Sequence, residues 1–240
     1  MDVQGTDLRQ SMEMGQILER ALTLYRQYPG PLLLIAAVTL PLDLLSAAVS
    51  GAVEDTTRAA LISLPISLAA TAVSLLALGA LARAVADVAL GIPPDFSRSY
   101  DAVFERLGRL ILAALRALII VALLVITIVG IPFAIYLAVR WTFLVQAVTL
   151  EDARPREALI LSSRMVSGYW WRTLGIILVI GILASVPIFV VSVIFALAPL
   201  LVSGIINAIM AALVLPFAGA AHTLLFFDLQ AREASRARIA

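Results

Sequence analysis

The sequence predicts an all-α integral membrane protein with six transmembrane helices and three cytoplasmic amphipathic helices at the membrane interface. Three observations predict it. The 240-residue chain is 62% hydrophobic and 14% charged, whereas a soluble domain is about half apolar and about a quarter charged. With a mean hydropathy of +1.04, lipid is the solvent that accepts this surface. The apolar residues form continuous runs near the roughly 20 residues a helix needs to cross a bilayer. A barrel would show alternating segments of about ten residues instead. Finally, the charged residues collect between the runs, and all 17 basic residues are arginine. The length fits one membrane domain.

Residues 1–14, MDVQGTDLRQSMEM, are polar and lack the basic start and short apolar core of a secretory signal. The N-terminus is expected to stay on the side where it is made. In residues 15–28, Ile17, Ala21, Leu24, Tyr25 and Tyr28 form a stripe beside Glu19, Arg20 and Arg26, a pattern suited to the headgroup boundary. Span one follows at about 31–53 and span two at about 60–89, the latter long enough to tilt. Near its end Arg83 and Asp87 are four apart and share a helix face.

Residues 97–107 repeat the amphipathic pattern, with Tyr100, Val103, Phe104 and Leu107 beside Arg98, Asp101, Glu105 and Arg106. Ser97 or Ser99 is the candidate cap. Spans three and four, about 109–129 and 133–150, are joined by Gly130-Ile131-Pro132. The third amphipathic helix is 155–167, where Pro155 suits a first turn. Ala158, Leu161, Met165 and Val166 face one way, and Arg156, Glu157, Ser163 and Arg164 the other. Tyr169, Trp170 and Trp171 form an aromatic belt at the start of span five, with Arg172 snorkelling to the same level. Spans five and six, about 173–196 and 200–227, are joined by Leu197-Ala198-Pro199. In the tail, 228–240, Asp228 and Arg232 are four apart and read as a terminal anchor. Pro41, Pro65, Pro132, Pro187 and Pro216 are expected to kink their spans. The chain thus reads as three units, each an interfacial helix followed by a hairpin of two spans.

Fourteen arginines fall on the side of the termini and one, Arg58, on the other. This asymmetry predicts cytoplasmic termini. The remaining two, Arg116 and Arg140, lie within spans.

Three stretches carry a family resemblance: "GQILERALTLYRQYPGPLLLIAAVTLPL", "RWTFLVQAVTLEDARPREALILSSRMVSGYWWRTLG" and "HTLLFFDLQAREA". A Leu-Tyr-Arg helix leads into a proline-containing span. An arginine within a span precedes an Ala-Leu-x-x-Ser helix, and an aromatic-Asp-Leu-x-x-Arg segment closes the last span. The pattern resembles bacterial multispan proteins akin to the membrane domain of some glycerophosphoryl diester phosphodiesterases, and their stand-alone relatives. The resemblance covers most of the chain and implies a fold and a membrane location. It implies no phosphodiesterase activity, because no soluble catalytic domain is present in this sequence.

Ionisable residues within a membrane are functional candidates, because burying them is costly. Asp43 in span one is expected to pair with Arg140 in span four or Arg116 in span three. Two readings stand: a structural ion pair, and a polar transport path. Arg154, Arg156, Arg164 and Arg172, with Trp170 and Trp171, are candidates for headgroup contact. The single histidine, His222, and the absence of cysteine leave no metal site to expect, and no cofactor motif appears. No Gly-x-Ser-x-Gly elbow surrounds any span serine, so no catalytic residue is assigned. Gly79, Gly175, Gly181 and Gly219 are expected at tight helix contacts. The reading is a non-enzymatic scaffold or accessory that binds membrane lipids or a protein partner at its cytoplasmic face in the plasma membrane. The alternative is a small transporter or channel using Asp43 and Arg140, and the third is a lipid-acting membrane enzyme. Net charge +1 points to no nucleic-acid partner.

Overall fold

The computed structural model describes residues 10–52 and 56–237. Arg9, Val53, Arg238 and the Arg58 side chain lie outside the described residues. Within them every element is helical: α1 (Met14–Gln27), α2 (Pro29–Ala37), α3 (Leu40–Ala52), α4 (Thr56–Ala89), α5 (Phe96–Phe104), α6 (Leu107–Val125), α7 (Ile131–Arg140), α8 (Leu144–Leu150), α9 (Pro155–Val166), α10 (Trp170–Ile194) and α11 (Leu200–Ala237). Five stretches are long and apolar enough to cross a bilayer: Leu61–Ala89, Leu107–Val125, Ile128–Leu150, Trp170–Ile194 and Leu200–Arg236. The pair α2–α3, bent by 44°, is long and apolar enough together to make a sixth if it crosses as one span. The protein is an all-α membrane protein.

Two spans are broken. Pro41 has no N–H for the carbonyl four residues back, and its ring crowds that carbonyl. The helix therefore stops after Ala37, and the Thr39 N–H closes on Ala36 O, three residues back. The second break, at Trp141–Phe143, separates α7 from α8 and contains no proline.

The short amphipathic helices supply what the breaks lack. The Tyr100 hydroxyl of α5 donates to Ile35 O at 2.8 Å, beside the first break. At the second, the Ser162 hydroxyl of α9 donates to Arg140 O at 2.7 Å and accepts the Phe143 N–H at 3.2 Å. The Tyr25 hydroxyl of α1 donates to Leu213 O at 3.0 Å, three residues before Pro216 in α11. Membrane helices tolerate breaks where neighbouring groups satisfy the freed backbone, and at both breaks the neighbour is one of these short helices, α5 or α9; α1 adds a bond to the unbroken α11 near Pro216. The contacts run in a cycle. α1 packs on α11 of the third unit, α5 on α4 and α2 of the first, and α9 on α6, α7 and α8 of the second.

This packing corrects the expectation for the apolar stripes. Ile17, Ala21 and Leu24 of α1, Tyr100 and Val103 of α5, and Ala158, Met165 and Val166 of α9 are buried within the protein. The spans cover these stripes, so lipid does not. Only Phe104, on the expected second stripe, is largely exposed. The cap of α5 is neither Ser97 nor Ser99 but Asp95, which accepts the Arg98 N–H at 2.9 Å; Ser99 is buried.

Two glycines mark close contacts as expected: a Cβ on Gly219 would lie 2.9 Å from Leu81, and one on Gly79 would lie 3.1 Å from Thr149 and Val103. Gly175 and Gly181 do not, since nothing lies within 4 Å of either position. Gly204, where a Cβ would meet Ala47 at 2.6 Å, is the close α3–α11 approach instead.

Candidate functional site

Two groups of arginines matter for the site. The first is bound to carboxylates that hold the helix ends together. Asp87 is fully buried, with Arg83 Nε at 3.1 Å and Arg98 Nε at 2.9 Å. The expected Arg83–Asp87 pair on α4 thus gains a third member from α5. Asp228 is also fully buried, meeting Arg232 Nε at 2.9 Å and Arg172 Nη1. It accepts the Met12 N–H at 2.7 Å, while Arg172 and Arg232 donate to Met12 O at 2.7 and 3.1 Å. One carboxylate therefore ties the segment before α1 to α10 and α11. Buried ions persist only when paired and hydrogen-bonded; both oxygens of Asp228 are hydrogen-bonded, whereas Asp87 is hydrogen-bonded by Arg98 at one oxygen and meets Arg83 at the other by charge alone.

Asp152 is a different case. It lies in the left-handed region, with φ 53°, and receives Arg106 Nε at 2.8 Å and Arg109 Nη1 at 2.9 Å. The hydrogen bond from Arg109, then that from Arg106, holds its carboxyl below the usual carboxylate value. Nearby, Gln230 donates to Glu151 at 2.7 Å.

The second set has no carboxylate partner among the described residues: Arg140, Arg156 and Arg164, with Arg154 at the start of α9. The break after α7 places Arg140 against α9, where its guanidinium donates to Ser163 O at 3.3 Å and to the Tyr136 hydroxyl at 3.2 Å. It also lies over the Tyr136 ring, 5.4 Å from the centroid. Its Nε is buried without a hydrogen-bond partner. Trp141 Nε1 donates to the Ser163 hydroxyl at 3.1 Å. Between the α7 end and α9 opens a cleft of about 530 Å³ lined by Arg140, Trp141, Arg156, Ser163, Arg164 and Ser167.

Aromatic rings mark the level of this cleft. Trp170 packs on Tyr136 with centroids 5.8 Å apart and donates to Tyr136 O at 3.2 Å. Trp171 stands edge-on to Trp170 and is 79% exposed. Tryptophan and tyrosine gather where hydrocarbon meets headgroups.

Asp43 is not brought together with Arg140 or Arg116. Its helix, α3, packs on α4 and α11, whereas α7 packs on α6, α9 and α10. Among the described residues Asp43 makes no ion pair, and Arg116 points outward from α6. Of the headgroup candidates, Arg154, Arg156, Arg164 and Trp171 are exposed. Arg172 is committed to Asp228, and Trp170 is half-buried. His222 Nδ1 lies 3.1 Å from Ala218 O, a contact within its own helix. Among the described residues no cluster of His, Asp and Glu is arranged to hold a metal.

Sequence reasoning missed Ser162, Ser163 and Tyr100 as partners of broken spans. The only available signal was a hydroxyl on an otherwise apolar helix face. Compared with known protein families, curated proteins and solved structures, the chain matches none.

Proposed function

We propose that this is a non-enzymatic protein of the plasma membrane whose arginine-rich, cytoplasmic end binds anionic lipid headgroups, acting as a scaffold or accessory there. One observation carries the reading: α9 begins with Arg154 and displays Arg156 and Arg164, all exposed and without a carboxylate partner among the described residues. Arg83, Arg98, Arg172 and Arg232, which clasp the helix ends, are paired with buried aspartates; these three are not. Each arginine near an anionic surface contributes roughly 1 kcal/mol. The cytoplasmic orientation rests on fourteen arginines against one and the positive-inside rule. A transport path through Asp43 and Arg140 finds little support, because α3 packs on α4 and α11 whereas α7 packs on α6, α9 and α10.

The test is lipid retention. The protein is reconstituted in an equal mixture of phosphatidylcholine and phosphatidylglycerol, extracted gently and weighed by native mass spectrometry. Phosphatidylglycerol should be enriched among retained lipids over the bulk ratio. Retention that mirrors the bulk ratio would sink the proposal.

A further inference from the structure

We infer that the cleft between the α7 end and α9 is a specific site for the phosphate of one anionic lipid headgroup. The inference rests on the lipid-binding reading above and deepens it from a charged face to a defined pocket. Three independent features converge there. First, Arg140, Arg156 and Arg164 bring three cations to one opening of about 530 Å³, within the roughly 300–1,000 Å³ of small-molecule sites. None has a carboxylate partner among the described residues. Like charges gathered without counter-charge repel one another, so an anion in the opening is favoured. Arginine suits a phosphate oxygen pair because its donors form a planar fork.

Second, the site is built. Arg140 is fixed by Tyr136 and Ser163, and the Trp141 ring is fixed on the Ser163 hydroxyl. The Arg140 Nε is buried and has no hydrogen-bond partner among the described residues. Arg156 and Arg164 lie eight residues apart on one helix, so they flank the opening about two turns from each other. Ser167 adds a hydroxyl at the rim.

Third, the cleft sits beside the Tyr136–Trp170–Trp171 cluster, the level where headgroups lie. Ile160 is 50% exposed at the same opening and offers an apolar edge to the lipid's glycerol and acyl chains. A free phosphate shares the anionic chemistry but gains nothing from that edge or from the aromatic level, so a lipid is the source assigned here.

The experiment compares the full-length protein with Arg156→Gln/Arg164→Gln and with Arg26→Gln, all in the equal lipid mixture described above. Arg26 is exposed on α1, outside the cleft. The cleft variant should bind phosphatidylglycerol about 25-fold more weakly, the equivalent of two lost headgroup contacts, and Arg26→Gln should bind as wild type. Because both cleft arginines are exposed, the variant keeps its fold; Arg140→Gln, which reaches the same anion from the other wall, is the second probe. Equal losses in the cleft and Arg26 variants would overturn the pocket while leaving the charged-face reading intact. Absence of phosphatidylglycerol enrichment in wild type would overturn both. Inorganic phosphate that stabilises the delipidated protein and displaces phosphatidylglycerol would overturn the lipid assignment in favour of a soluble phosphate site.

Discussion

Replacing Ser162 by alanine tests whether α9 holds the broken fourth span together. The Ser162 hydroxyl bridges two backbone groups at the break, donating to Arg140 O at 2.7 Å and accepting the Phe143 N–H at 3.2 Å. Both Ser162 and Phe143 are fully buried, so water cannot replace the lost group. Alanine orphans two backbone groups. If each behaved as an average membrane side-chain hydrogen bond, the loss would be about 0.6 kcal/mol apiece. That average reflects partners regained in the bilayer. A buried polar group left unsatisfied costs about 1–3 kcal/mol, and two give about 2–6 kcal/mol. Burial within protein favours the larger figure.

The assay is reversible unfolding in mixed micelles, with Ser163→Ala as the control. Ser163 accepts only the half-buried Trp141 Nε1 by its hydroxyl, so its loss should cost about 0.5–1.5 kcal/mol. Ser162→Ala should also lower phosphatidylglycerol retention, because the break is what turns Arg140 into the cleft. A Ser162→Ala protein no less stable than Ser163→Ala would refute the bridging role.

The first break gives a smaller effect with a pH signature. Tyr100→Phe removes one hydrogen bond to Ile35 O and should cost about 0.5–1.5 kcal/mol in the same unfolding assay. Burial pushes the Tyr100 hydroxyl up to about 12 from an ordinary value of 10.0. The unfolded chain then loses this proton first, so the stability contribution is present below pH 10.0 and is lost as pH rises toward about 12. Tyr100→Phe should flatten that part of the wild-type stability profile. Asp228→Ala leaves Arg172 and Arg232 without their buried carboxylate, which should cost about 3–5 kcal/mol. Limited proteolysis should then cut before α1, because Met12 loses its tie to α11; resistance equal to wild type would count against the clasp.

What could be read from the chain depended on range. The positions of the spans and of the three amphipathic helices follow from local periodicity, and the structure places helices at each. The Arg83–Asp87 and Asp228–Arg232 pairs were legible because four residues on a helix set their spacing. Asp43 shows the limit. The cost of a charge in lipid says that a partner is needed, but not which helices adjoin, and α3 packs on α4 and α11 while α7 packs on α6, α9 and α10. The apolar stripes show a second limit. An amphipathic helix looks alike whether its apolar face meets acyl chains or other helices. The break at Trp141–Phe143 shows a third, since no proline announces it and its partner lies 19 residues on in sequence.

These limits meet in one physical point. A span broken within a membrane needs a hydrogen-bonding partner from outside its own helix, and α5 and α9 each bring one. With their apolar stripes buried, they turn their charged faces outward. α5 spends its arginine on Asp87, and Arg172, at the start of α10, is spent on Asp228. α9 spends its serine on the break and leaves its arginines unspent. A fold that only needed to stand would gain from placing a carboxylate among Arg140, Arg156 and Arg164, as it does beside Arg98 and Arg232. Three cations kept together beside an aromatic belt, with Arg140 pinned by a break that itself had to be repaired, are arranged for an anion that comes from outside the chain.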